Sequence, residues 1–421
     1  MKSTVKILFL ALAAALAGNT MVSCSDDDLG PTIFQIPDET LDRSLATFPL
    51  DTFVKVNFLE PYNLRYIYKM EDIGSDLQKN LVPASYDQSV KLAVLSKYLW
   101  YDVYAKCAGE EFLKEYSPRI IHVIGSPSYN PTSGTETLGE AEGGLKITLY
   151  NTNNLNEEKI DSLNEKFFKT MHHEFSHILN QNYVYPTAFP LLSQSTYNPI
   201  DWQHTPDSLA AAQGFVSSYA SSQAREDWVE VIANYIVKDK KTWDGLLNTA
   251  GYDWETVDMD APKFKALEAK VNAGTANRDS IGYFYEVSAN EGSDESEQQW
   301  TIQRKVIARN ADGTAAVDAE GNIQYLEQDG IDGRNLIEQK LEMTREWLKT
   351  SFGIDLDALR DEVQRRQWVT DADGNFVFDA GGGYINRLTA PLESDPSKTL
   401  MQSLVDEVEK YKALQTTNEQ Q

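Results

Sequence analysis

Three of the chain's five histidines lie within six residues of one another, and two of them have the spacing of metal ligands. His173-Glu174-Phe175-Ser176-His177 reads H-E-x-x-H. Residues i and i+4 of a helix lie on one face, one turn apart, so both imidazoles can bind one Zn²⁺. Glu174 lies beside them and can act as general base for an attacking water molecule. The motif predicts a zinc-dependent hydrolase; the alternative is a helix that carries surface or capped histidines.

A catalytic zinc needs a third protein ligand and an open coordination position. The next predicted helix carries Glu226 and Glu230. These carboxylates share one face, so one can bind zinc while the other accepts a hydrogen bond from a ligand histidine. The alternative is that they are two solvated carboxylates on an exposed helix face, which would be the default interpretation without the upstream motif. His204, in a Pro-rich loop, is a weaker candidate ligand, and His172 lies on another helix face, where we expect it to pack.

The elements that must position these residues follow from the apolar periodicity of the sequence. We predict helices over residues 89–105, 156–181, 335–350 and 355–366, and a further helix that begins near residue 222. The helix over residues 156–181 carries H-E-x-x-H, and the helix that begins near residue 222 carries the two glutamates. Strands are predicted over residues 119–125 and 145–150. The latter strand alternates apolar and polar side chains, so it either offers an edge to an extended substrate or lies inside a sheet.

Two Asp-Gly segments further along the chain read as turns. Residues 310–313 lie between strand-like runs and predict an inserted hairpin near residues 300–327. Residues 371–375 have the composition of a calcium loop, but the glycine is at the fourth position and an EF-hand loop requires it at the sixth. We therefore interpret residues 371–375 as a turn.

Composition limits the classes of partner. The 421 residues include 64 acidic and 38 basic side chains, which gives a net charge of −26. This charge argues against a protein that binds nucleic acid through its phosphates, and against electrostatic docking to anionic lipid. Since the chain has only Cys24 and Cys107, a cysteine-based zinc module is excluded.

The first residues are typical of a secretory signal. Two lysines precede an apolar run from Ile7 to Ala17, which is shorter than the roughly 20 residues that span a bilayer. The following Cys24 resembles the lipidated cysteine of a bacterial lipobox; an ordinary signal peptide cleaved nearby is the alternative. We predict a signal peptide over residues 1–23 and an acidic flexible tether over residues 24–40. The tether resembles the surface-export signal of Bacteroidota lipoproteins, or is a solvated spacer.

The spacing Tyr219-x6-Glu226-x3-Glu230 after an H-E-x-x-H resembles the anthrax lethal factor type of gluzincin metallopeptidase. The resemblance implies that Glu226 is the third zinc ligand and that Glu230 supports a ligand histidine. It implies that Tyr219 stabilises the developing oxyanion. The sequence departs from thermolysin-like enzymes, which use Glu-x3-Asp. It also departs from metzincins, which have Gly and His where this chain has Asn180 and Tyr183.

The stretch His-His-Glu-Phe-Ser-His-Ile-Leu-Asn-Gln, the later residues 352–356 and the lipobox with its acidic tether together resemble one family. These are the substrate import-associated zinc metallohydrolase lipoproteins of Bacteroidota. The resemblance implies an outer-membrane lipoprotein exposed at the cell surface, which serves nutrient import beside a TonB-dependent porter and its binding lipoprotein. The resemblance implies where the protein acts, but it does not identify the substrate.

We therefore predict an α+β fold, with a zincin-like catalytic region and its N-terminal elements over residues 41–250. A mostly helical C-terminal region follows over residues 251–421. The predicted function is that of a surface-anchored zinc metallopeptidase that acts on a peptide or protein substrate and contacts the membrane only through its N-terminal lipid.

In this prediction one Zn²⁺ is bound by His173, His177 and Glu226. The alternative is a non-catalytic lipoprotein of a glycan or peptide uptake complex, with zinc structural or absent. A structural site would have no use for the general base Glu174, which favours the enzyme.

Overall fold

The computed structural model describes most of the chain from residue 41 onwards. The described residues are 41–70, 81–129, 136–137, 139–142, 146–257, 265–266, 269–270, 273–275, 283–288, 299–308, 310–311, 316–326 and 331–416. The predicted signal peptide, Cys24 and the tether lie outside them and stay predictions. None of the described helices has the length and apolar character needed to cross a membrane.

Helices form where apolar side chains recur every three to four residues. Their bounds are α1 Phe48–Val54, α2 Glu60–Tyr62, α3 Tyr86–Ser96, α4 Asp102–Cys107, α5 Glu110–Tyr116, α6 Ile160–Leu163, α7 Lys169–Asn182, α8 Phe189–Leu192, α9 Asp207–Ala212, α10 Ala224–Val237, α11 Lys240–Ala250, α12 Gly333–Phe352, α13 Leu356–Gln367, α14 Leu400–Glu409 and α15 Ala413–Thr416.

In the described part of the chain, three π-helical segments join neighbouring helices without a break. Lys55–Leu59 links α1 to α2, Lys97–Tyr101 links α3 to α4, and Asn164–Phe168 links α6 to α7. Each widens the turn to an i→i+5 hydrogen bond. The helices predicted over residues 89–105 and 156–181 are therefore observed as two linked helices each. The second begins at Ile160, because Asn156 Oδ1 accepts a hydrogen bond from the N–H of Glu158 in a preceding turn.

The strands are short. Their bounds are β1 Arg65–Ile67, β2 Ile120–Val123, β3 Ser128–Tyr129, β4 Glu136–Thr137, β5 Gly139–Glu142, β6 Lys146–Leu149, β7 Trp254–Val257, β8 Tyr283–Ser288 and β9 Gln299–Lys305. β3 pairs with β4, and β9 lies between β7 and β8 in an antiparallel three-stranded sheet.

A four-stranded mixed sheet has the order β1-β2-β6-β5. β1, β2 and β6 are parallel, and β5 is antiparallel to β6. The strands predicted over residues 119–125 and 145–150 are confirmed as β2 and β6. The idea that residues 145–150 offer an edge to substrate is wrong, because β6 is paired on both sides. Ile147 and Leu149 are fully buried, as expected of an interior strand.

An aromatic cluster holds the H-E-x-x-H helix, α7, against the preceding helices. The ring of Phe175 meets Trp100 and Tyr104 edge-on, with centroids 4.8 and 5.0 Å apart. Phe112 of α5 approaches the same ring at 5.9 Å. Full burial of one such side chain contributes about 1.5–3 kcal/mol. The cluster therefore fixes which face of α7 is turned away from the core.

The C-terminal helices pack directly on α10, the helix that carries the two glutamates. Trp347 of α12 contacts Trp228 of α10 edge-on at 5.3 Å. Lys340 of α12 is fully buried and lies 2.7 Å from the carboxylate of Asp227. The α+β class with a mostly helical C-terminal portion is confirmed. Residues 44–421 form one compact unit, and the predicted division at residue 250 stays a prediction.

Short hairpins interrupt the C-terminal helices. Ile307 bridges Tyr325, within the segment where an inserted hairpin is predicted. Farther on, Asp371 Oδ1 accepts hydrogen bonds from the N–H groups of Asp373 and Asn375. Residues 371–375 therefore form a turn, as predicted.

Candidate metal centre

Helix α7 brings one row of polar side chains into the interior. His173, Glu174 and His177 are only 7%, 8% and 6% exposed. Their burial follows from the spacing, because Phe175 and Ile178 occupy other faces of the helix and pack in the core. The polar row faces α10, with which α7 makes extensive contact.

Glu226 of α10 lies between the two histidines. Its Oε2 atom is 3.1 Å from Nε2 of His173 and 3.2 Å from Nε2 of His177. One ligand atom from each of these three residues lies within 4.8 Å of the other two. Two imidazole nitrogens and one carboxylate form the donor set of a catalytic zinc site, so the residues present fit the ion.

Glu230, one turn further along α10, holds His173 from behind. Its Oε1 atom is 2.8 Å from Nδ1 of His173. The other oxygen, Oε2, accepts hydrogen bonds from Ser217 Oγ at 2.6 Å and Asn234 Nδ2 at 3.0 Å. The carboxylate is thus fixed by three partners. A carboxylate at Nδ1 orients the ring so that Nε2 is presented to a metal.

The carboxylates of Glu226 and Glu230 lie on either side of His173 and determine the charges of all three residues. Burial alone would lower the pKa of His173, but hydrogen bonds to Glu226 and Glu230 outweigh it and raise the pKa to about 10. Burial would raise the pKa of each glutamate, yet hydrogen bonds from His173 and His177 hold the pKa of Glu226 well below its ordinary value. Lys169 and His173 do the same for the pKa of Glu230. Both carboxylates are therefore ionised, as a cation site requires.

Glu174 differs from the other two glutamates. Burial raises its pKa, although the two neighbouring histidines oppose the shift. No hydrogen bond to another described residue fixes its carboxyl group. A buried carboxylate with a raised pKa has the properties of a general base that can also return its proton.

Tyr219 lies over the ring of His173, with centroids 5.9 Å apart. Trp202 meets the ring of Tyr219 edge-on at 4.8 Å. Burial, followed by the nearby carboxylate of Glu226, raises the pKa of the phenol above its ordinary value. Tyr219 is nevertheless 37% exposed. The phenol thus stays protonated and can donate a hydrogen bond beside His173 and Glu226.

His172 and His204 do not belong to the group of potential metal ligands found among the described residues. His172 is fully buried and its Nδ1 lies 3.0 Å from the hydroxyl of Tyr104, in keeping with a packing role. Burial lowers its pKa to about 3. His204 is exposed and lies 2.6 Å from Asp201, and it is not part of the group of potential ligands found among the described residues.

Three residues of the centre are not among the site residues predicted from the sequence. Ser217 and Asn234 support Glu230, and Arg225 donates from Nε to Nδ1 of His177 at 3.3 Å. Asn234 lies one turn after Glu230, so helix periodicity could have placed it on the same face. Ser217 lies before the helix, and its contact depends on the course of the loop.

Comparison with known proteins agrees with the chemistry of these ligands. Residues 44–357 match a family model described as "Putative zinc-binding metallo-peptidase". A crystal structure of "a putative zinc-binding metallo-peptidase from Bacteroides caccae ATCC 43185" is 30% identical in sequence, with a TM-score of 0.51. The similarity covers 76% of this chain and 91% of that chain. No curated protein matches the chain.

Proposed function

The chain belongs to the family described as "Putative zinc-binding metallo-peptidase", and from this premise we propose a peptidase that uses one zinc ion bound by His173, His177 and Glu226. One observation carries the proposal. Glu226 Oε2 lies within hydrogen-bonding distance of Nε2 of both histidines, while Glu174 stands in the same helical turn. This combination supplies three ligands and a base.

Zinc, when bound, supplies a Lewis acid that polarises the carbonyl and makes water more acidic. The proton then goes to Glu174, whose buried carboxylate accepts it from the attacking water and returns it to the leaving amine. The raised pKa of this carboxyl group suits both steps, because it lies closer to neutral pH than that of an exposed glutamate.

Tyr219 donates a hydrogen bond to the oxyanion that develops on the substrate. Its raised pKa keeps the phenol protonated, so it acts as a donor throughout. Glu230 accepts from Nδ1 of His173 and thereby keeps that ring in the orientation for binding. Each residue of the site thus has a separate role.

We also propose the cellular setting. The lipobox-like Cys24 and the acidic tether support a lipoprotein of the outer membrane that is exposed at the cell surface. The resemblance to import-associated metallohydrolases supports work beside a TonB-dependent porter and its binding lipoprotein. The source organism of the similar crystal structure, Bacteroides caccae, is consistent with a lipoprotein of Bacteroidota.

The experiment compares the purified protein with Glu174→Gln on a mixed peptide library, with zinc content measured in both. We expect about one zinc per chain in each protein, and a loss of cleavage of at least about 100-fold in the variant. The control Glu111→Gln changes an exposed glutamate and should cleave like the wild type. Zinc without wild-type cleavage would favour the non-catalytic uptake lipoprotein. No zinc, with both histidines intact, would overturn the metal centre itself.

A further inference from the structure

The hydroxyl group of Ser217 makes two hydrogen bonds that lead to different parts of the metal centre. It donates to Oε2 of Glu230 at 2.6 Å and accepts from the backbone N–H of Ala220 at 3.1 Å. A carboxylate can only accept and a backbone N–H can only donate, so one orientation of the hydroxyl satisfies both contacts. The first bond supports the carboxylate behind His173, whereas the second reaches the segment that carries Tyr219.

That segment is a short 3₁₀ turn, Tyr219–Ser222, which leads into α10. Two further hydrogen bonds attach it to the preceding loop. The N–H of Asn198 donates to the carbonyl of Ser221 at 2.7 Å, and Oδ1 of Asp207 accepts from the N–H of Ser218 at 2.8 Å. These bonds keep the turn folded but do not involve the metal ligands. The serine hydroxyl adds a connection between the turn and the residues behind the first ligand histidine.

A closed series of contacts therefore joins the phenol to this histidine. The ring of Tyr219 lies over the ring of His173, with centroids 5.9 Å apart and planes at 28°. Nδ1 of His173 lies 2.8 Å from Oε1 of Glu230. From Oε2 of Glu230 the series returns through Ser217 to Ala220, the neighbour of the tyrosine. None of these contacts uses Nε2 of His173, the atom assigned to zinc, so they are compatible with both the metal-free and the metal-loaded protein.

We propose that Ser217 is a positioning residue, whose hydroxyl fixes the Tyr219 phenol relative to the imidazole of His173. The inference rests on the proposed function, in which this phenol donates to the oxyanion. Since Tyr219 is 37% exposed, neighbouring rings cover only part of its side chain, and an anchor on the next backbone N–H restricts it further. Such restriction matters, because a misplacement of about 1 Å can lower a rate about 100-fold.

Asn234 provides a matched control for the second bond of Ser217. Its Nδ2 donates to the same oxygen of Glu230 at 3.0 Å and to the carbonyl of Glu230 at 2.9 Å, both within α10. Ser217→Ala and Asn234→Ala each remove a hydrogen bond to this carboxylate, so both should weaken zinc binding. Their effects on the turn should differ, because only the serine bonds the N–H of Ala220 as well.

Hydrogen exchange of the metal-free proteins measures this difference without any need for cleavage. Mass spectrometry of peptides that span the turn follows the amide of Ala220. In Ser217→Ala this amide should exchange about tenfold faster than in the wild type, the effect of one lost hydrogen bond, and in Asn234→Ala at the wild-type rate. Unchanged exchange in Ser217→Ala would overturn the proposal. So would equal acceleration in both variants, which would indicate a general loosening of the site.

Kinetics at saturating zinc connect the turn with the reaction. Ser217→Ala should lower kcat about 10–100-fold with KM nearly unchanged, because the displaced phenol acts mainly in the transition state. Ser217→Thr keeps the hydroxyl and should recover most of kcat. Ser394→Ala, at an exposed serine of the C-terminal part, should cleave like the wild type. A wild-type kcat in Ser217→Ala would contradict the role of Ser217.

A double-mutant cycle shows whether Ser217 acts through Tyr219. In the wild type and in Asn234→Ala, Tyr219→Phe should lower kcat by the same factor of about 100–1,000. In Ser217→Ala the factor should be at least about tenfold smaller, since a misplaced hydroxyl contributes less. Equal factors in all three backgrounds would mean that the serine acts through Glu230 alone, and only its positioning role would fail. A wild type that binds no zinc or cleaves no peptide would instead overturn the proposed function, and this role with it.

Discussion

The two glutamates of α10 show how one turn of helix separates two chemical roles. Glu226 contacts Nε2 of both histidines, whereas Glu230 contacts only Nδ1 of His173 and is held by Ser217 and Asn234. Spacing predicts that both lie on one face, but leaves open which of them binds the metal. The structure distinguishes the two glutamates, because only Glu226 lies within hydrogen-bonding distance of the Nε2 atoms of both histidines.

Replacing the carboxylate behind His173 should weaken zinc binding without unfolding the protein. In Glu230→Gln the amide has a similar shape, but the ring of His173 loses its charged acceptor. We expect zinc affinity to fall about 10–100-fold, measured by competition with a chelator. The control Glu342→Gln, at an exposed position of α12, should bind zinc like the wild type. Unchanged affinity in Glu230→Gln would show that Glu230 does not support the ligand.

Removing one hydroxyl should separate catalysis from metal binding. Tyr219→Phe keeps the ring against His173 and Trp202 but loses the donor. We expect kcat to fall about 100–1,000-fold, with zinc content and KM nearly unchanged. Steady-state kinetics on a cleaved library peptide measure this, with Tyr411→Phe in the C-terminal part as control. A variant with normal kcat would remove Tyr219 from the mechanism.

At the scale of elements, periodicity predicts the helices better than it predicts their ends or their partners. The stripe that includes Phe175 and Ile178 predicts that α7 is amphipathic, and the structure agrees. The π-helical turn at Asn164–Phe168 has no signature in the apolar pattern, because the stripe continues through it. The pairing of β6 on both sides could not be predicted from its alternating pattern, since strand order depends on contacts distant in sequence.

The supports of the site were unpredictable for the same reason. Arg225 reaches His177 across 48 residues of sequence, and Lys340 reaches Asp227 from α12. A motif locates ligands within one helix, but the second helix and its supports depend on tertiary packing. The H-E-x-x-H and the glutamate pair were therefore visible in the sequence, and the residues that hold them were not.

The buried ion pair between α10 and α12 should be a strong determinant of stability. Lys340→Met leaves Asp227 without its charged partner in a fully buried position. We expect a loss of about 3–5 kcal/mol in the free energy of unfolding, measured by urea denaturation of the metal-free protein. Adding Asp227→Asn should recover part of the loss, because the uncompensated charge is removed. Lys349→Met, at an exposed position of α12, is the control; an equal effect there would refute the role of the pair.

The contact between α4 and α13 should depend on pH. Glu362 is 6% exposed and accepts from Lys106 at 2.6 Å and from Arg366 at 2.8 Å. Burial alone would raise the pKa of Glu362, but these two cations hold it below its ordinary value. A depressed pKa stabilises the fold above the unfolded pKa and loses this effect as pH falls through the folded pKa.

Glu362→Gln should therefore lower stability by about 1–3 kcal/mol at pH 7, and the difference from the wild type should shrink below about pH 4. Thermal unfolding of both proteins without metal, over a series of pH values, provides the measurement. The exposed variant Glu342→Gln should change little at any pH. A difference that stays constant down to pH 3 would mean that packing, rather than charge, links the two helices.

At the scale of the whole molecule, the acidic surface and the proposed anchor are compatible. A charge of −26 does not favour docking to anionic lipid. Acyl chains, by contrast, contribute about 0.8 kcal/mol per buried methylene whatever the charge of the protein. A lipid on Cys24 would hold the folded unit near a membrane without any contact between the surface of that unit and the lipid headgroups. The family match over residues 44–357 begins after the proposed tether.

The chain offers its own control for this anchor, because Cys24 and Cys107 are its only cysteines. Cys107 is half-buried on α4, with Sγ 3.9 Å from the carbonyl of Ala358, so it is a packing residue of the folded unit.

In a Bacteroidota host, Cys24→Ala should abolish labelling by a radioactive fatty acid and move the protein from the membrane to the soluble fraction. Cys107→Ala should remain labelled and membrane-bound. The proposed peptidase activity should be retained in Cys24→Ala, because the potential zinc ligands lie more than a hundred residues away in sequence and within the folded unit. Labelling that survives Cys24→Ala would place the lipid elsewhere and remove the basis for a surface tether at residues 24–40.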